Sequence, residues 1–333
     1  MNKDNLATYF KRISSFFARG GSIGRAMIFA SLSFIFLVFL YYFIGMGVIH
    51  KIDDAVDFQP SQSNPGESKT IAMAISLINR EVNENGWVAN DPFFMPGYLL
   101  DNMPNYQQGI IYAISRFAME MTDQIGRSRG SSEVDSDLDK ASGLLKYPGT
   151  TWIFDLSTSI APTASSEAQY KSAMRSLASY NKRLAKGAAT FDKRADNLQA
   201  TLRRFTADLG SNSAAISEHL ARSGGWGIDS KSDDIFYSAK GRLYAYYLLL
   251  KELEADFKDV VAGKELSSSW NLMLGSLKQA SRLSPLVIAN GQPDGAIVPS
   301  HLASLGFYLL RARTQLREII DILAVSYTHL TLP

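Results

Sequence analysis

The chain has 333 residues and offers chemistry four histidines, thirty-two acids and no cysteine. His50, His219, His301 and His329 nowhere adopt the one-turn spacing with which a helix presents two imidazoles to zinc. Asp135, Asp137 and Asp139 in "DSDLD" alternate like the start of a calcium loop. Lys140 and Lys146 stand where that loop needs a glycine and a bidentate glutamate, so these acids read as a helix start, where the dipole favours negative charge. The lack of cysteine removes thiolate catalysis, thiolate metal sites and disulfides. Ser179 and Lys182 match S-x-x-K, but its companion elements are missing, and there is no G-x-S-x-G elbow, P-loop or dinucleotide fingerprint. No catalytic residue, metal site or cofactor is assigned.

Two surfaces remain as binding candidates. The first is "NDPFFMPGYLLDNMPNYQQG", residues 90–109, which fits neither helical nor strand spacing. Pro92, Pro96 and Pro104 argue against a regular helix through residues 90–104. Its rings are too apolar for water, so the segment is expected to press against helices as a core-filling loop, with Asp91, Asp101, Asn102 and Asn105 satisfying its irregular backbone. The competing reading is a partner or ligand surface built from Phe93, Phe94, Tyr98, Asp101, Asn102 and Tyr106. Arg127 and Arg129 nearby would favour an anion there.

The second candidate lies on the clearest pattern in the chain. Tyr170, Met174, Leu177, Leu184, Ala188, Phe191, Ala195, Leu198, Leu202, Phe205 and Leu209 alternate spacings of three and four, and Asn181 is the one polar group in the stripe. This predicts a helix over 165–209 closing at Gly210, with Gly187 as the point where it bends. Small residues flank the seam, which indicates neighbours on several sides and hence a multi-helix bundle. Its outer face carries Arg175, Lys182, Arg183, Lys186, Arg203 and Arg204. Residues 165–209 hold nine basic groups against four acids, although basic residues also suit an ordinary solvated helix face.

The elements that must position these residues are nearly all helical. Ile71, Ile75, Ile78 and Val82 form one stripe, stopped by Gly86. Ile110, Ile114, Phe117, Met121 and Ile125 form another, ended by Gly126. A third begins at Ser232 as cap and runs through Phe236, Leu243, Leu250 and Phe257 to Gly263. A shorter helix surrounds Trp270, and the last carries Leu302 to Leu323. "TTWIFDLS" is the single strand-like stretch. The expected fold class is all-α: one N-terminal transmembrane helix, then a bundle of long, heptad-patterned antiparallel helices with an irregular aromatic and proline-rich loop.

That transmembrane helix is Ala26–Ile49, which holds no charge and spans about 36 Å as a helix, enough for a hydrocarbon core of about 30 Å. It exceeds the apolar region of a cleavable signal peptide. Lys3, Lys11, Arg12, Arg19 and Arg25 precede it, and Asp53, Asp54 and Asp57 follow. The positive-inside rule therefore leaves residues 1–25 in the cytoplasm and puts the rest outside, in the periplasm of a Gram-negative cell. Residues 50–69, rich in Pro, Ser and Asn from Asp57 onward, read as a linker lifting a helical domain over 70–325 off the bilayer. Residues 326–333, "SYTHLTLP", abandon the pattern and read as a non-native tail, which leaves the true C-terminus open.

"NDPFFMPGYLLDNMPNYQQGIIYAISRF", "DQIGRSRGSSEVDSDLDKASGLLKYPG" and "WIFDLSTS" resemble the hallmark blocks of the domain-of-unknown-function 2333 family, proteobacterial envelope proteins with one N-terminal span. The resemblance covers nearly all of the chain and implies a membrane-anchored, mostly helical protein; it brings no activity. The expectation is a non-catalytic scaffold or accessory binding factor of the inner membrane. Its partners would be lipid and another envelope protein or wall polymer, with a homo-oligomer possible. The net charge of +2 gives no ground for a nucleic-acid partner. The alternative is an envelope enzyme, a peptidoglycan or lipid hydrolase using buried carboxylates such as Glu81, Glu84 or Glu120, which must then converge in a cleft.

Overall fold

The computed structural model describes residues 21–60, 64–125, 134–154, 161–222, 230–285, 287–289, 291 and 299–328. Among them the architecture is helical throughout, with no strand. The helices are α1 (Ser22–Ile49), α2 (Lys69–Asn79), α3 (Asn102–Glu120), α4 (Ser136–Leu145), α5 (Ser166–Ala185), α6 (Ala195–Arg222), α7 (Ser230–Asp256), α8 (Lys258–Gly263), α9 (Ser267–Ser281) and α10 (His301–Thr328). A π-helical turn extends α2 over Arg80–Glu84, another extends α3 over Met121–Ile125, and a 3-10 turn covers Pro96–Leu99.

The body is built around α7. Its central stretch, residues 243–250, is apolar or aromatic at every position and buried throughout, and a helix of that kind must be covered all round. Helices α2, α3, α9 and α10 all pack on it, burying Phe236, Leu243, Tyr244, Tyr246, Leu249, Leu250 and Leu253 completely. Its tightest neighbour is α3, because two glycines let the backbones touch. A Cβ on Gly109 would lie 2.3 Å from the Ser238 carbonyl oxygen, and one on Gly241 would lie 2.1 Å from that of Tyr106.

The predicted stripes over α2, α3 (as far as Met121), α7, α9 and α10 all face this core. The uninterrupted helix over 165–209 does not exist. It is two helices, α5 and α6, parted at Lys186–Arg194, and α6 runs through Gly210 to Arg222. Gly187 has φ +67° and makes a Schellman cap: Ala188 donates to Arg183 O and Gly187 to Leu184 O. No regular helix runs through residues 90–101, as expected; α3 starts at Asn102 and takes Pro104 into its first turn, where no N–H is required. One further expectation fails. Ser232 lies inside α7, bonded to His219, and is not its cap.

The strand-like reading of residues 150–157 fails over 150–154, where Ile153 O accepts from Thr163 N in an irregular turn; the rest lies outside the described residues. Gly126 and residues 329–333 also lie outside them, whereas α10 continues to Thr328.

Asn181, the polar exception in the stripe, has a buried purpose. Its amide oxygen accepts from Ser68 N at 2.8 Å and its nitrogen donates to Ser68 O at 3.2 Å. Beside it, Asp256 from the end of α7 receives Lys69 N, Thr70 N and both hydroxyls of Ser68 and Thr70 at 2.6–3.0 Å. A carboxylate over the orphan N–H groups of α2 is the favourable partner for that end of a helix dipole.

Residues 50–60 are docked onto the body, contrary to the spacer expected there. Tyr106 donates to Asp53 O and Tyr244 to Ala55 O, each at 2.8 Å. Lys240 pairs with Asp54 at 2.6 Å, and Ile52, Val56 and Phe58 pack on the core.

Candidate functional site: a basic cleft and an aromatic rim

A cleft of about 510 Å³ opens between α3, the end of α4 and α7. Helical spacing puts Tyr112 and Arg116 on one face of α3, one turn apart. Lys146 caps α4 at its C-terminus, the end that a dipole prefers to be cationic. Arg242 follows the glycine crossing on α7, which brings its guanidinium over the Tyr112 ring, 3.8 Å from the centroid. The Arg242 Nε is buried and has no hydrogen-bond partner among the described residues.

Behind this wall sits Asp208, from α6. It receives the Tyr112 hydroxyl at 2.7 Å and the Tyr246 hydroxyl at 2.8 Å, with Arg116 Nε at 3.5 Å. Burial foremost, and then the Asp208 charge, push both phenols up, so they remain protonated donors at neutral pH. Among the described residues Arg116, Lys146 and Arg242 line the cleft and no carboxylate does. Asp208 behind the wall offsets the charge of Arg116, which leaves Lys146 and Arg242 as the cleft's net positive groups.

The carboxylates considered for hydrolysis are elsewhere. Glu81 is fully buried, and its Oε1 lies 2.7 Å from Arg80. Burial pushes its carboxyl up, with Arg80 opposing. Arg80 also donates to Tyr244 at 2.8 Å and lies over Phe58, so the pair belongs to the docking of residues 53–58. Glu84 accepts from Asn79 at the surface, and Glu120 pairs with Arg204 at 2.7 Å. None of the three lines the cleft.

The loop before α3 is not the core plug expected of it. Phe93 is 71% exposed and Tyr98 and Leu99 are each 56% exposed, with Phe94 and Met95 also outward. The loop lies against α1: Tyr41 donates to Phe94 O at 3.2 Å, Tyr42 donates to Phe93 O, and Pro96 packs on Gly45. Trp152 and Phe154 extend it into a rim of rings.

The candidate partner surface is therefore divided. Phe93, Phe94 and Tyr98 are on the rim, whereas Tyr106 is completely buried in α3. Asp101 caps α3, and Asn102, its amide nitrogen facing the acid, donates to Asp233 at 2.6 Å. Arg127 and Arg129 lie outside the described residues.

The basic face also breaks up, because its two halves are on different helices. Arg183 lies 2.7 Å from both Asp135 and Asp137, and Arg204 is held by Glu120. Arg175, Lys182 and Lys186 on one side of the break and Arg203 on the other are exposed. Asp135 caps α4, as the helix-start reading of these acids requires. Burial works against its charge, but Arg183 and two backbone N–H groups outweigh that and hold its carboxyl below the ordinary range. Among the described residues no three metal-ligating side chains converge.

Sequence reasoning missed the cleft. Tyr112, Arg116 and Arg242 sit within apolar helical patterns as ordinary surface positions, and only the glycine crossing of α3 and α7 brings them together.

A family model described as an uncharacterized protein conserved in bacteria (DUF2333) matches residues 45–229 and 225–325. No curated protein and no solved structure matches the chain.

Proposed function

The chain belongs to this conserved bacterial family, DUF2333, and on that premise we propose that it is a single-span inner-membrane protein whose periplasmic helical domain acts by binding an anionic group. Its role is that of a scaffold or accessory factor of the envelope, where carboxylated and phosphorylated polymers and headgroups are the fitting ligands.

Helix α1 supports the anchor. Its 28 residues reach about 42 Å, more than the hydrocarbon thickness, and none of them is buried by the rest of the chain. A signal sequence passes the same test of length and apolarity. The retained span is favoured because its outer turns carry the aromatic loop, through Tyr41, Tyr42 and Gly45. The cationic residues before the span and acids after it favour an outer domain.

The observation that supports the binding reading is the cleft itself: among the described residues Lys146 and Arg242 line it beside an Arg116 already paired with Asp208, no carboxylate lines it, and a buried Arg242 nitrogen has no partner there. Inorganic pyrophosphate is a suitable probe. It raises the unfolding temperature of the detergent-solubilised protein, because a ligand that binds only the folded state stabilises it. Arg242→Gln abolishes that rise. A temperature indifferent to pyrophosphate, or a rise that survives Arg242→Gln, contradicts the assignment.

A further inference from the structure

The aromatic rim sits at a depth that can be derived. Taking Arg25, the last charge before the apolar run, as the inner edge, about 30 Å of hydrocarbon is crossed in about 20 residues, which brings the outer edge to the neighbourhood of Gly45. Tyr41 and Tyr42 then lie just within that edge, and the loop they hold lies level with them. Lipid cannot hydrogen-bond a backbone, so chain at this depth must have its polar groups satisfied from within the protein. The Phe93 and Phe94 carbonyls take the Tyr42 and Tyr41 hydroxyls. Met95, Tyr98 and Leu100 donate back to Pro92, Met95 and Gly97 at 2.8–3.1 Å, and Pro92 and Pro96 bring no N–H at all.

The side chains complete the case. Phe93, Phe94, Trp152 and Phe154 form a continuous edge-to-face chain with centroids 5.4–5.7 Å apart. Most of this surface is open, in a protein whose helical core is closed. Rings of this kind favour the interface between headgroups and acyl chains.

We propose that the loop around Phe93–Leu99, together with Trp152–Phe154, inserts into the outer leaflet beside α1 as a second membrane attachment. The domain then lies on the bilayer in one fixed orientation instead of swinging on a single stem. This rests on the membrane-anchored reading above.

The cysteine-free sequence permits a direct test on the full chain in phosphatidylcholine–phosphatidylglycerol vesicles. Single nitroxide labels are placed through Phe93→Cys, Tyr98→Cys, Phe36→Cys on α1 and Leu272→Cys on the exposed face of α9. The accessibility of each to oxygen and to a water-soluble nickel chelate is then read. The oxygen-to-nickel ratio at positions 93 and 98 falls between the high value at 36, near mid-bilayer, and the low value at 272. If 36 reads as lipid while 93 and 98 read like 272, the second attachment is overturned and the anchor stands. If 36 also reads as water, the anchored reading falls with it.

Discussion

One methyl group probes the closest contact in the fold. In Gly241→Ala the new Cβ meets a backbone oxygen, not the end of a flexible side chain, so α3 and α7 must separate. Overpacking of that kind destabilises by about 3 kcal/mol. Gly143, in α4, has open space around it, and Gly143→Ala stabilises by about 0.5–1 kcal/mol through helix propensity and a less flexible unfolded chain. Denaturant melts of the two variants separate the effects.

The acids near the loop make a pH-dependent pair to the same experiment. Burial, then repulsion from Asp101 and Asp234, push the Asp233 carboxyl up to about 6, from about 3.9 in an unfolded chain. A carboxyl that holds its proton more tightly when folded contributes fully below about pH 4 and loses that contribution as pH rises through about 6. Asp91, pushed up to about 6 by burial and by Glu167, acts in the same direction. Asp233→Asn mimics the protonated form, so its melting temperature gains on the parent as pH rises from about 4 to about 7. A constant difference across that range contradicts the assignment.

Among elements, the first turn of α2 depends most on a distant residue. Asp256→Ala leaves the N–H groups of Lys69 and Thr70 without their acceptor, and an unsatisfied buried donor costs about 1–3 kcal/mol, so the expected loss is at the upper end of that range. Loss of amide protection confined to α2 in hydrogen exchange identifies the cause. Asn181 shows what sequence could and could not convey here: its polarity within an apolar stripe was visible, but its partner, Ser68, lies 113 residues away.

The stripes of the remaining helices were legible because each faces a single core. The break between α5 and α6 was not, because Phe191 and Ala195 pack on the core from the loop and the start of α6 as they would from a continuous helix. Apolar spacing records burial, and it carried on across a change of direction that only Gly187 announced. The loop misread as core filling failed for a related reason. Apolarity marked its rings as poorly suited to water, not as packed onto this chain's own core.

At the scale of the whole molecule, the stem, residues 50–60 and the helical body form one connected structure. Arg80, Lys240, Tyr106 and Tyr244 hold the segment after α1, so the body is tied to α1 without a slack linker. The basic cleft lies along α3, and the aromatic rim is built on the loop that leads into it; under the proposed anchoring the two sites would sit on the membrane side of the body. The central claim, that a retained span holds this body outside the inner membrane, is tested most directly by thiol labelling in intact spheroplasts. The parent has no cysteine to interfere. With Ala214→Cys, on the exposed face of α6, an impermeant maleimide labels the membrane-bound protein at once, whereas Ser14→Cys reacts only after the membrane is opened. Labelling of residue 14 but not 214 in intact cells, or recovery of labelled protein in the soluble fraction, would contradict it.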